Sequence, residues 1–167
     1  KSILPTPGYG AKTHQMFQSD EVHYYHVPTP LTEMYFKTAF EQGQSTDVLI
    51  TANLSPRLNY AVAYRGHRSL GHYQHSLSGV SQLRFSAWYE NPNRRYRLRF
   101  KLANQKIEQQ ENGGLDSLSL QNFTDKIAEF EDRARLSVKF QNAANLFTGK
   151  RYLLEQDYAL LMTTDSI

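Results

Sequence analysis

Residues 81–103 read SQLRFSAWYENPNRRYRLRFKLA, and the side chains change character at every second position. Before the Asn91-Pro92-Asn93 break, Leu83, Phe85, Ala87 and Tyr89 alternate with Gln82, Arg84, Ser86 and Glu90, with Trp88 on the polar side. After it, Tyr96, Leu98, Phe100 and Leu102 alternate with Arg95, Arg97, Arg99 and Lys101. Successive side chains of a strand point to opposite faces, so the pattern predicts two strands, 81–90 and 95–103, each with one apolar and one polar face. Facing residues of a hairpin must share a face, which tests the reading from sequence alone. Pairing Tyr89 with Tyr96 sets Ala87 on Leu98, Phe85 on Phe100 and Leu83 on Leu102. The same register sets Glu90 on Arg95 and leaves Arg84 against Lys101, a like-charge pair that needs screening.

The rule extends outward in both directions. Residues 32–40 place Met34, Phe36 and Phe40 opposite Glu33, Tyr35 and Lys37; 47–54 place Val48, Ile50, Ala52 and Leu54 opposite Asp47, Thr51 and Asn53. Residues 58–65 alternate Leu58, Tyr60, Val62 and Tyr64 with Asn59, Ala61, Ala63 and Arg65. Pairing Leu54 with Leu58 brings Ile50 to Val62 and Asp47 to Arg65, so a second hairpin closes consistently. A sixth strand is predicted over 133–141 and a seventh over 151–161, where Leu153 and Gln156 break the alternation; 21–27 is the candidate eighth. Residues 123–134 are the one helix-like stretch, with Thr124 as cap and Phe123, Ile127 and Phe130 on one face. The chain thus divides into an extended N-terminal segment, 1–30, holding at most one strand, and antiparallel strands over 31–167 with long loops at 66–79 and 104–132. Short turns at 55–57 and 91–93 alternate with those long loops, the asymmetry of an outer-membrane barrel.

Composition narrows the solvent. The 167 residues have a mean hydropathy of −0.62 and contain no run of about 18 apolar residues, so a transmembrane helix is excluded. A membrane strand shows apolar groups to lipid only at alternate positions and stays hydrophilic on average. The 11 Tyr and 9 Phe against one Trp suit strands with aromatic girdles. With no Cys there is no disulfide framework or thiolate metal site. The net charge of +3 is spread without a Lys/Arg block, which gives nucleic acid no footprint. The opening residues, KSILPTPGYG, lack the apolar core of a secretory signal, so either a signal has been removed or the chain is an internal piece.

An alternating face fits lipid outside and water inside, or a protein core inside and water outside. Strands of about 9–11 residues match a tilted membrane crossing better than the 5 or 6 common in soluble sheets, and Tyr60, Tyr64, Tyr89 and Tyr96 stand at strand ends where girdles sit. The expected fold is an all-β, antiparallel up-and-down transmembrane barrel with 7–8 strands in this chain: either 21–27 completes an eight-stranded barrel or further strands are missing from this chain.

Residues 29–36 (TPLTEMYF), 69–74 (SLGHYQ), 93–99 (NRRYRLR) and 111–115 (ENGGL) resemble, in order and spacing, the Bacteroidota putative porin family. The resemblance covers residues 28–160. Family members are several times longer, so it implies a barrel segment in the bacterial outer membrane, with a lipid bilayer or detergent, small polar or anionic solutes and outer-membrane proteins as partners. It implies neither an enzyme nor a cofactor.

Four cations, Arg95, Arg97, Arg99 and Lys101, stand on one face of one strand about 6.6–6.8 Å apart, and Arg84, Arg133, Arg135 and Lys139 are expected to join them. Lining a wet lumen they would concentrate anions; paired with acids on other strands they would be structural. His72 and His75 could share a metal on a helical turn, or be plain loop residues. No nucleophile elbow, phosphate loop, Cys/His pair or dinucleotide fingerprint occurs. Three functions follow: a passive pore or transport barrel, a structural or docking barrel of an outer-membrane assembly, and a soluble β-barrel ligand binder.

Overall fold

A computed structural model describes residues 15–39 and 43–160. Six strands, β1 (Leu31–Ala39), β2 (Gly43–Ser55), β3 (Leu58–Ser69), β4 (Ser78–Glu90), β5 (Tyr96–Gln110) and β6 (Ala144–Tyr158), form one antiparallel sheet. Each pairs with its chain neighbour, in the order β1 to β6, an up-and-down barrel-like sheet whose edge strands β1 and β6 do not pair with each other among the described residues. No helix there is long and apolar enough to cross a membrane, which says nothing of crossing by strands.

Among the described residues six strands replace the expected seven or eight. Residues 133–141 are loop: a 3-10 turn over Arg133–Arg135 precedes Leu136 and Val138, which are buried within the loop instead of facing a sheet neighbour. Only Val138 forms a bridge, to Leu115. The local alternation is real, but two of its three apolar positions, Leu136 and Val138, bury as well in a loop as in a sheet, while Phe140 stays 53% exposed. Residues 21–27 are not a strand either; they belong to a segment crossing one sheet face. The helix lies earlier than expected, α1 (Ser117–Thr124), because the Asp116 carboxylate accepts from the Ser119 N–H at 2.7 Å and caps it. Thr124 closes that helix instead of opening one, and Lys126 at φ 52° breaks the path beyond.

The β2–β3 register puts Ile50 on Val62 and Asp47 on Arg65, as expected, with a bulge at Leu54 that moves the turn contact to Ser55 and Leu58. The β4–β5 register is two residues from expectation: Tyr89 faces Leu98, Ala87 faces Phe100 and Phe85 faces Leu102. The Asn91 side chain accepts from the N–H groups of Arg95 (2.9 Å) and Tyr96 (3.2 Å), and Arg94 takes φ 54°, so the turn occupies 91–95. A two-residue shift keeps every side chain on its face. It also sets Arg84 against Ala103 in place of Lys101, removing the like-charge pair.

The two long connections, 70–77 and 111–143, lie at the same end, opposite the turns at 56–57 and 91–95. They begin later than expected because β3 runs to Ser69 and β5 to Gln110. They hold each other through Gln74 Nε2 donating to Ala134 O (2.9 Å) and a His75 ring nitrogen at 3.0 Å from Ala143 O. At Gly113, φ 66°, the Phe140 ring lies where a Cβ would be, so only glycine fits.

Candidate lumen wall

The two faces invert the usual order of burial. One carries four outward side chains per strand: Val48, Ile50, Ala52 and Leu54 on β2; Leu58, Tyr60, Val62 and Tyr64 on β3; Leu83, Phe85, Ala87 and Tyr89 on β4; Tyr96, Leu98, Phe100 and Leu102 on β5. On β6 the set is Tyr152, Leu154, Gln156 and Tyr158. Much of this face is open: Met34 is 75% exposed, Leu54 68%, Tyr152 64% and Leu154 57%. The other face holds the buried positions, and many are polar: Thr51, Asn59, Gln82, Ser86 and Gln105 are each at most 2% exposed. A protein in water rarely shows a contiguous apolar patch of this extent while burying amides.

The apolar band runs obliquely. Its upper end is Phe36 on β1, Val48, Tyr64 and Leu83 one rung lower on β2 to β4, and Leu102 and Tyr152 another rung lower on β5 and β6. Two rungs are four residues, so a rise of about 3.4 Å and a strand spacing of about 4.8 Å give an obliquity of about 30°, near the roughly 35–45° tilt of membrane barrel strands.

The polar face is covered by residues 15–27, which lie along it as a strap and descend from the long-loop side toward the tight turns. Side chains of the sheet, not a ladder, meet the strap's backbone. Gln105 Oε1 accepts from Phe17 N–H at 2.9 Å and its Nε2 donates to Phe17 O at 3.1 Å. Gln82 Nε2 donates to Gln15 O, Ser86 Oγ to His23 O (2.7 Å) and Trp88 Nε1 to Tyr25 O (2.5 Å). Met16 packs on Val80, Ile107 and Phe147. Phe17 lies under two guanidinium groups, Arg84 at 4.3 Å and Arg65 at 5.1 Å, and Tyr24 under Lys101 at 4.6 Å and Arg99 at 5.9 Å. Tyr24 OH donates to Glu155 Oε2 at 3.0 Å. Burial first, then that bond and the charge of Glu155, push its phenol up to about 12.

The structure gathers some expected cations and disperses others. Arg84, Arg97, Arg99 and Lys101 share the strap-facing side. Arg95 sits in the β4–β5 turn, and Arg133, Arg135 and Lys139 lie in the 111–143 loop, so these four are off the wall. Arg97 pairs with Glu90 at 2.9 Å, and Arg99 with Asp157 at 3.1 Å and Glu155 at 3.7 Å. Arg84 (3.3 Å) and Arg65 (2.6 Å) share the single carboxylate of Asp47. Lys101 instead donates to Ser19 O at 3.2 Å, and Arg151 to Phe17 O at 3.1 Å and to Gln18 Oε1. The wall therefore holds Arg97 and Arg99 paired with acids toward the tight turns and Arg65 and Arg84 on Asp47 toward the long loops, with Lys101 and Arg151 answered by oxygens of the strap.

Arg65, Arg151 and the buried amides were missed as wall residues. Parity alone identifies Arg65, Gln82 and Gln105, since each alternates with the apolar stripe. The strap left no periodic signal. His72 and His75 lie in the 70–77 loop, and among the described residues no group of three His, Cys, Asp or Glu could hold a metal.

A family model described as a putative porin matches residues 2–167. No curated protein and no solved structure matches the chain.

Proposed function

Because the chain belongs to the putative porin family, we propose that it supplies six strands of a larger bacterial outer-membrane barrel acting as a passive pore for small polar solutes, anions before cations. The observation that carries the reading is the inverted sheet, with an oblique apolar band outside and buried amides and cations inside. Lipid suits the first, since every backbone group of a crossing strand must be paired within protein while its side chains meet hydrocarbon. The edges of β1 and β6 then call for further strands, as bacterial barrels close with even numbers from 8 upward. No catalytic role is part of this reading.

Anion preference comes from Lys101 and Arg151, which no carboxylate answers among the described residues, and from the surplus of Arg65 and Arg84 over Asp47. Low-dielectric walls focus such charge. The test is reversal potential of the full-length protein in a planar bilayer under a KCl gradient. Lys101→Gln with Arg151→Gln should reduce anion preference more than Arg97→Gln with Glu90→Gln, which removes a charge and its counter-charge together. The difference should shrink toward 1 M salt, where the Debye length is about 3 Å. A protein that inserts without conducting removes the pore. The strap gives that outcome an occupant: an interior filled by residues 15–27 suits a structural or docking barrel.

A further inference from the structure

The apolar band stops sharply at the long-loop rim, and a depression of about 420 Å³ lies just beyond it. Most of its lining comes from the face that bears the band, not from the strap side. Register shows how it is built: Arg68, Gly79 and Glu108 form one rung across β3, β4 and β5, and Gly66, Ser81 and Lys106 form the next. The middle strand thus offers only Gly79 and Ser81 between two cationic side chains. A Cβ added at Gly79 would touch nothing within 4 Å, so the floor is open. Below it the Tyr64 ring folds over Gly66, where an added Cβ would lie 3.0 Å from the ring, and its hydroxyl is 3.4 Å from Ser81 Oγ. Glu108 holds Lys106 at 3.0 Å.

We propose that this depression holds a phosphate on the headgroup of an outer-leaflet glycolipid, with Arg68 and Lys106 as its cations and Ser81 and Tyr64 as hydroxyl donors. The inference rests on the membrane-barrel reading above. The two cations stand on strands separated by about 10 Å, a gap that long flexible side chains close onto one tetrahedral anion. A lipid, not a free anion, is the source because the same surface continues without a break into Tyr64, Leu83 and Val62, where acyl chains would lie. A soluble phosphate would gain nothing from that apolar continuation, and the depression opens away from the lumen. Glu108 is the antagonist: it neutralises Lys106 when no phosphate is present and repels one when it arrives.

The test uses the full-length protein in mild detergent, titrated by native mass spectrometry with a bisphosphorylated acylated disaccharide. Parallel titrations use the dephosphorylated disaccharide and inorganic phosphate. Arg68→Gln with Lys106→Gln should weaken binding of the phosphorylated lipid roughly tenfold or more, the scale of two partly exposed charge-assisted contacts. It should leave the dephosphorylated lipid unchanged. Glu108→Gln should strengthen binding a fewfold, a gain that no merely structural role produces. Equal binding by parent and double variant, weaker binding by Glu108→Gln, or equal affinity for inorganic phosphate would each overturn the proposal. Vesicle insertion, followed on the same samples by heat-modifiable gel migration, tests the membrane reading separately. A parent that inserts but does not discriminate phosphate refutes the lipid site alone, whereas one that does not insert refutes both.

Discussion

Replacing Ala87 with arginine tests which solvent meets the apolar band. Ala87 points outward between Tyr60 and Phe100, and four residues separate it from Leu83 at one end of the stripe but only two from Tyr89 at the other. With a rise of about 3.3 Å per residue, those intervals are about 13 and 7 Å along the strand, and a tilt of roughly 35–45° reduces them to about 10 and 5 Å of depth. An arginine costs about 2–4 kcal/mol at the bilayer midplane and 0–1 near the interfaces. The shorter interval lets the guanidinium lean toward the Tyr89 girdle, so the expected loss is about 2–3 kcal/mol, or roughly 30- to 150-fold in the folding equilibrium. The alanine side chain is small, so little packing is lost with it. Gln44→Arg, outward but above the band, should cost under about 1 kcal/mol. The assay is reversible guanidinium unfolding of the full-length protein in lipid vesicles, comparing both variants with the parent. A change within about 0.5 kcal/mol for Ala87→Arg is what an aqueous surface would give, and it would refute the lipid-facing assignment.

Three further outcomes follow from the strap and the wall. Gln105→Met leaves the Phe17 N–H without its acceptor; hydrogen exchange at Phe17 should speed up by roughly tenfold or more while β5 amides keep their protection, and unchanged exchange would mean the strap is held elsewhere. The Tyr24 phenol, raised in the fold to about 12 from its ordinary 10, favours the folded state below pH 10, and that contribution disappears as pH rises through about 12. Fluorescence of the single tryptophan, Trp88, whose indole donates to Tyr25 O, should report the strap loosening in that window, and Tyr24→Phe should abolish the step. A membrane-impermeant thiol reagent should label cysteine at position 97 and not at 98 in the inserted protein; labelling of 98 alone would reverse the two faces.

Alternation along 47–65 and 81–103 determined the strands, their faces and the division of the chain into an apolar and a polar wall, because side-chain direction in a strand has period two and needs no partner to be read. It also yielded the Asp47–Arg65 pair, since a tight turn after Ser55 leaves little freedom in register. Between β4 and β5 the same logic stopped short: registers two residues apart keep identical faces, so the choice fell to the Asn91 side chain and the backbone of Arg94, which no pattern of polarity records. Leu136 and Val138 carried strand-like spacing into a loop, where burial among loop residues satisfied them equally well. The strap was illegible for a different reason. Its carbonyl and N–H groups are met one by one by Gln82, Ser86, Trp88 and Gln105 of the wall, so no repeating ladder constrains the residues in 15–27. How Arg97, Arg99 and Lys101 are matched was likewise decided only by tertiary structure. Arg97 and Arg99 meet acids contributed by β4 and β6, Lys101 meets a carbonyl of the strap, and those partners lie up to 82 residues away in sequence, beyond the reach of any local spacing.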